Sequence, residues 1–182
     1  MAGHLSCQAL RTRAEWYLLR YPASSANVAR FLQRAVPRID PDATAEDAEP
    51  LIRDVLEGLR ADGLLNDAAF ASARARRLLQ RGQPPRRIAA DLQARQVPES
   101  ALTAALETLA AESGDPEEQE FRAACRTVQR RRLGPYHPPA EREAMRARDL
   151  AILGRAGFSF GVARRAVLLE DVAEVEAVLR FE

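Results

Sequence analysis

The segment Gly63-Leu64-Leu65-Asn66-Asp67-Ala68-Ala69-Phe70-Ala71, followed by an arginine-rich run to Arg81-Gly82 and by Gln83-Pro84-Pro85-Arg86-Arg87-Ile88-Ala89-Ala90-Asp91-Leu92, decides the fold. Asn66 is suited to cap a helix because its side-chain oxygen can accept from a free first-turn amide, and Leu65 and Phe70 then take the two positions of a hydrophobic staple. Ala71, Ala75, Leu78 and Leu79 give that helix an apolar side, Gly82 stops it, and the prolines open another helix with Ile88 and Leu92 at i, i+4. The spacing predicts helix, tight turn, helix, tight turn, helix.

Working outward, Ala9 to Tyr21 is a helix-compatible mixture that Pro22 ends. Ser24 or Ser25 can cap a helix with Val28, Phe31 and Leu32 on one side; it is expected to run to about Val36, before Pro37 and the loop Asp40-Pro41-Asp42. Leu51, Ile52, Val55, Leu56 and Leu59 mark a third helix ending at Gly63, with Pro50 blurring its start. Further helices are predicted over 67–81, 85–96 and 98–111 and, after a polar break at 112–118, through Phe121, Ala124, Cys125 and Val128. Gly134-Pro135-Tyr136-His137-Pro138-Pro139 reads as a turn or loop, and 140–155, 159–169 and 172–180 as closing helices. No stretch alternates in the manner of a strand.

Internal similarity supports a repeat. At an offset of 60, Leu18, Leu19, Ala29, Leu32 and Gln33 meet Leu78, Leu79, Ala89, Leu92 and Gln93. At an offset of 74, Arg74, Leu79, Arg81 and Ala89 meet Arg148, Leu153, Arg155 and Ala163. The expected fold is therefore all-α, an elongated array of three tandem three-helix, helix-turn-helix-like repeats at residues 1–65, 66–114 and 115–182, the last with a C-terminal tail.

The pattern Leu-Leu-Asn-Asp-x-x-Phe-Ala, a helix, Arg-Gly and then Pro-x-Arg-Ile-x-x-x-Leu resembles the central repeat of the RecX family of bacterial recombinase regulators. Arg20 to Leu32 is similar to that family's first repeat and Leu150-Ala151-Ile152-Leu153-Gly154-Arg155-Ala156-Gly157-Phe158 to its third, so the likeness covers most of residues 9–170. The chain departs from the family at Ala26-Asn27-Val28, where acidic residues commonly precede the leucine. The resemblance implies a regulatory protein that binds the RecA filament on single-stranded DNA. It further implies inhibition of the recombinase, ATPase and coprotease activities, and thereby modulation of DNA repair and the SOS response. The alternative reading is a helix-turn-helix-like protein acting directly on nucleic acid, because paired short helices meet at tight turns such as Arg81 to Pro85.

Composition sets the boundaries of either reading. Of 182 residues 47% are hydrophobic and 29% charged, a globular balance, and no apolar run approaches the roughly 20 residues of a membrane span. Arg11, Arg13, Glu15 and Arg20 interrupt the N-terminal stretch where a secretory signal needs an apolar core, so a soluble cytoplasmic protein is expected. Cys7 and Cys125 lack metal-ligand spacing and read as reduced, buried or semi-buried thiols. His4 and His137 stand far from other ligands, Gly154 to Gly161 lacks the lysine of a phosphate loop, and no nucleophile motif is present. The expectation is a monomer that is not an enzyme, with no metal, cofactor, small-molecule substrate or membrane partner. Trp16, Tyr17 and Phe31 follow helical spacing and read as core.

The net charge of +1 conceals alternating blocks. Residues 72–97 carry seven arginines against one acid, 98–121 seven acids and no arginine, and 122–165 eleven arginines against three acids. All 27 basic residues are arginine. Arg74, Arg77 and Arg81 fall at i, i+3 and i+7, Arg86 and Arg87 open the next helix, and Arg148 and Arg155 take matching places in the third repeat. These seven are the candidate partner-facing surface, suited to phosphates or an acidic protein patch because guanidinium binds both through its planar fork. The plainer alternative is a solvated face with inter-helix ion pairs.

Overall fold

A computed structural model describes residues 4–113 and 115–180 and shows an all-helical chain, with ten α-helices and no strand among the described residues. They are α1 (Cys7–Leu18), α2 (Ser25–Ile39), α3 (Ala45–Ala61), α4 (Asp67–Gln80), α5 (Pro85–Ala94), α6 (Glu99–Ser113), α7 (Pro116–Arg131), α8 (Arg142–Ala156), α9 (Phe160–Val167) and α10 (Val172–Arg180). Two short 3-10 turns, Gly134–Tyr136 and Pro139–Glu141, fill the stretch expected to be a loop. The chain divides into two compact units, one comprising the residues to Ala71 with Leu92–Leu102, the other Ser72–Asp91 with Thr103 onward.

The first unit is built on α1, α2 and α3. Val28, Leu32, Ala35, Val36 and Ile39 repeat every three or four residues along α2, as do Ala48, Ile52, Val55, Leu56 and Leu59 along α3, so each helix buries one face in a shared core with Leu10, Ala14 and Leu65. The caps follow side-chain chemistry. Ser24 accepts from the Asn27 amide (3.3 Å) and its hydroxyl donates to the Arg95 carbonyl (2.7 Å). Asn66 accepts from the Ala69 amide (2.9 Å), and Leu65 before it is buried. At the start of α4 the Asp67 carboxylate takes the Ser25 amide (2.7 Å) and hydroxyl (2.5 Å).

Two prolines behave differently from the expectation. Pro37 does not end α2, which continues to Ile39 because Val36 and Ile39 are both buried; the missing amide costs only the carbonyl of exposed Gln33 a partner, one turn from the helix end. Pro50 does not blur α3 either. That helix starts five residues before it, at Ala45, behind a reciprocal capping box of Thr44 and Asp47, with the Asp47 amide donating to the Thr44 hydroxyl oxygen (3.2 Å) and the Thr44 amide to Asp47 (3.1 Å). Hydrogen bonds from the Thr44 hydroxyl and then its amide hold the Asp47 carboxyl below its usual range.

Trp16 also departs from the reading as core. Its ring is 50% exposed, whereas Tyr17 and Phe31 pack against the first core and stack on one another at 4.4 Å. The reason is angular: Leu10 and Ala14 define the buried side of α1, and six steps of about 100° place Trp16 roughly 120° away from Leu10. Cys7 is exposed, contrary to the buried or semi-buried thiol expected there, and Cys125 is buried; both are free.

The second unit packs α7, α8, α9 and α10 around Phe121, Ala124, Cys125, Val128, Leu153, Phe158, Val162, Ala166 and Val175. Burial pushes the Cys125 thiol up to about 12, so it stays protonated and serves packing. The loop before α8 is held by a buried carboxylate. Asp149 accepts from the Gly134 amide (2.7 Å) and lies 2.9 Å from His137 Nε2. Beside it Arg142 donates to three carbonyls, those of His137 (3.1 Å), Pro135 (3.0 Å) and Glu170 (2.5 Å). Gly157, in the left-handed region at φ 99°, ends α8.

Candidate functional site

The site grows from the turn between α4 and α5. Gly82 adopts φ +72°, and the Gln83 amide returns to the Leu78 carbonyl (3.0 Å), closing α4 in a Schellman arrangement. A Cβ at position 82 would lie 2.9 Å from the Ala123 carbonyl oxygen and 3.1 Å from Thr127 Oγ1, so glycine is required by conformation and by space. The Thr127 hydroxyl reaches the carbonyls of Gly82 (3.0 Å) and Ala123 (3.2 Å), which seats the turn on α7.

α7 also covers the end of α4 with positive charge. Arg130 donates to the Arg81 carbonyl (2.8 Å) and Arg126 approaches that of Leu79 (3.5 Å), at the C-terminal end of α4 where the helix dipole favours cations. Burial, and then the neighbouring Arg122 guanidinium, hold Arg126 below the ordinary arginine value.

A cleft of about 260 Å³ opens beside this turn, lined by Gly82, Gln83 and Thr127, by Ile152 and Ala156 of α8, and by Arg87, Arg130, Arg131 and Arg155. No carboxylate among the described residues pairs with any of these four guanidiniums. A second cleft of about 370 Å³, lined by Gln80, Arg81, Arg126, Gln129, Arg130 and Leu179, shares Arg130 with the first. Like charges held this close favour a bound anion, and two adjoining clefts suit an extended anionic surface better than a small ion.

The seven arginines singled out from the sequence separate into groups. Arg87 and Arg155 are brought together in the first cleft, and Arg81 lines the second. Arg74 is held within the unit, its guanidinium forked onto Asp91 with one nitrogen at 2.8 Å, and that hydrogen bond raises its pKa. Arg77, Arg86 and Arg148 are exposed and line neither cleft. The sequence reading missed Arg130 and Arg131. Their signal was the run Arg130-Arg131-Arg132 just before Leu133-Gly134, which also has the plain explanation of cations at a helix C-terminus.

Fold and cleft together describe an all-helical protein with a cluster of guanidiniums that no carboxylate among the described residues pairs with. The family profile described as "RecX, second three-helix domain" matches residues 66–106, which include the α4–α5 turn. Regulatory protein RecX of Myxococcus xanthus (strain DK1622) is 37% identical over 163 residues, 87% of this chain and 83% of that relative. Regulatory protein RecX of Halorhodospira halophila (strain DSM 244 / SL1) is 34% identical over 120 residues, 66% of this chain and 68% of the relative. No solved structure matches the chain significantly. The chain belongs to the RecX family of regulatory proteins.

Proposed function

We propose that this protein binds the RecA filament on single-stranded DNA and restrains its ATPase, strand-exchange and coprotease activities without chemistry of its own. The observation that carries the reading is the cleft of Arg87, Arg130, Arg131 and Arg155, four guanidiniums that no carboxylate among the described residues pairs with, in a RecX-family chain. Such a surface recognises phosphates or an acidic protein face by Coulomb attraction and forked hydrogen bonds, and it can alter filament growth by occupancy alone. The same proposal includes a monomer acting in the cytoplasm, in keeping with the absence of a membrane-crossing helix among the described residues. It also includes three tandem repeats at 1–65, 66–114 and 115–182; the "second three-helix domain" match at 66–106 supports the middle one.

The test is RecA ATP hydrolysis on single-stranded DNA with this protein well below one copy per RecA protomer. Hydrolysis is expected to fall severalfold at such ratios, because one bound copy affects a stretch of polymer. Unchanged hydrolysis at equimolar protein contradicts the proposal. Strong binding to bare DNA with a steep salt slope, and no effect on RecA, would favour the helix-turn-helix-like alternative.

A further inference from the structure

The half-exposed Trp16 belongs to an arrangement that the arginine cleft does not use. Arg13 and Trp16 fall at i, i+3 on α1, with Arg20 in the turn just past its end; on α2, Phe31, Arg34 and Arg38 fall at i, i+3 and i+7, so each helix sets an aromatic ring beside guanidinium groups. Trp16, Phe31, Arg13, Arg38 and Thr12 line one concave surface of about 530 Å³ in the first unit. The Arg20 guanidinium lies 4.2 Å from the centroid of the Trp16 ring and covers one face of it, and Arg20 does not line the concavity. Tyr17 and Phe31 stack beside it and fix the neighbouring ring. No carboxylate among the described residues pairs with Arg13, Arg20, Arg34 or Arg38.

We infer that this concavity is a stacking platform for single-stranded nucleic acid, with a base laid against the Trp16 indole and the flanking phosphates on Arg13 and Arg38. Three features select this occupant. An exposed indole offers a flat π face that any unpaired base can cover, and duplex bases, already stacked on each other, cannot. The charged side chains lining it, Arg13 and Arg38, are both cationic, which complements a phosphodiester chain running past the ring. The guanidinium on the ring holds the indole in place before binding, so little order is lost when a base arrives. A peptide partner would use the apolar floor equally well, but it would need acidic residues on both flanks to match the rim. The inference goes beyond the filament reading, since it concerns direct contact with the nucleic acid, and the two fail separately.

Trp16 is the chain's one tryptophan, so its fluorescence reports on this place alone. Titrating a thymidine oligonucleotide into the full-length protein should quench the emission to a plateau. Trp16→Leu should weaken binding of a labelled oligonucleotide by about tenfold to a hundredfold, and Trp16→Phe should recover part of the loss, as expected when stacking contributes about 1–3 kcal/mol per base. Arg13→Ala with Arg38→Ala should weaken binding and lower its salt slope by about 1.4, two contacts at about 0.7 each on a single strand. Far-UV circular dichroism checks that the variants keep their helices.

Unchanged emission at saturating oligonucleotide, or wild-type affinity in a folded Trp16→Leu, overturns the inference. So does quenching by RecA without DNA when the oligonucleotide quenches nothing, which would assign the platform to a protein. Loss of oligonucleotide binding in Trp16→Leu with RecA inhibition intact supports the platform and separates it from the filament reading. Failure of the wild-type protein to inhibit RecA, with the quench intact, overturns the filament reading and leaves the platform supported.

Discussion

Exchanging Arg131 and Arg155 together for glutamate is expected to raise the concentration needed to inhibit RecA ATP hydrolysis by about two orders of magnitude, since disrupting charge pairs at an interface costs about 2–5 kcal/mol and 1.4 kcal/mol is a factor of ten. Both side chains line the first cleft and neither has a carboxylate partner among the described residues, so no native ion pair is broken. Relief of repulsion around Arg87 and Arg130 should leave thermal stability unchanged or slightly raised. A variant that unfolds early would show that these guanidiniums serve the fold. A stable variant that inhibits like the wild type would show that the cleft does not face the filament.

Asp149→Ala should have the largest effect on stability. Asp149 is 1% exposed, and its carboxylate is the acceptor for the Gly134 amide and the partner of His137. Removing it strands a buried amide and a mostly buried imidazole, and loss of one member of a buried pair costs about 3–5 kcal/mol. The second unit, whose loop from Gly134 to Pro139 these contacts hold, should unfold first on heating. Asp149→Asn keeps an acceptor for the Gly134 amide and should recover part of the loss. A melting temperature for Asp149→Ala within a degree of the wild type would contradict the assignment.

How far the sequence revealed this structure depended on whether the deciding physics was local. Asn66, Leu65 and Gly82 act within one turn of chain, and the helix between Asn66 and Gly82 forms as their spacing predicts, with the expected amide on Asn66 and the left-handed turn at Gly82. Pro37 misled because tertiary burial of Val36 and Ile39 outweighs the proline's local preference. Thr44 and Asp47 went unread, although the i, i+3 spacing of a capping box is itself a local signal.

The candidate site was only half legible. Clustering of arginine in residues 72–97 and 122–165 pointed to the right parts of the chain, but which guanidiniums converge depends on α7 and α8 packing beside the α4–α5 turn. Arg74 illustrates the limit. Its spacing matched Arg77 and Arg81, yet Asp91, seventeen residues on, takes its charge. Asp149 carried no sequence signal, since an aspartate after Arg148 in an amphipathic helix looks solvated until the Gly134 loop folds over it. Trp16 was misassigned because an aromatic at helical spacing usually means core, and only the angle from Leu10 shows that it does not here.

Arg86 and Arg87 provide the most direct test of the cleft as the working surface, because they are neighbours on α5, both exposed, and only Arg87 lines the first cleft. The measurement is RecA ATP hydrolysis on single-stranded DNA, titrated with Arg86→Glu and Arg87→Glu in parallel. The cleft account predicts that Arg87→Glu inhibits about tenfold less effectively while Arg86→Glu stays within about twofold of the wild type, given the few kcal/mol at stake for a contact charge and little for a remote one. Equal losses in the two variants, or a loss confined to Arg86→Glu, would contradict it.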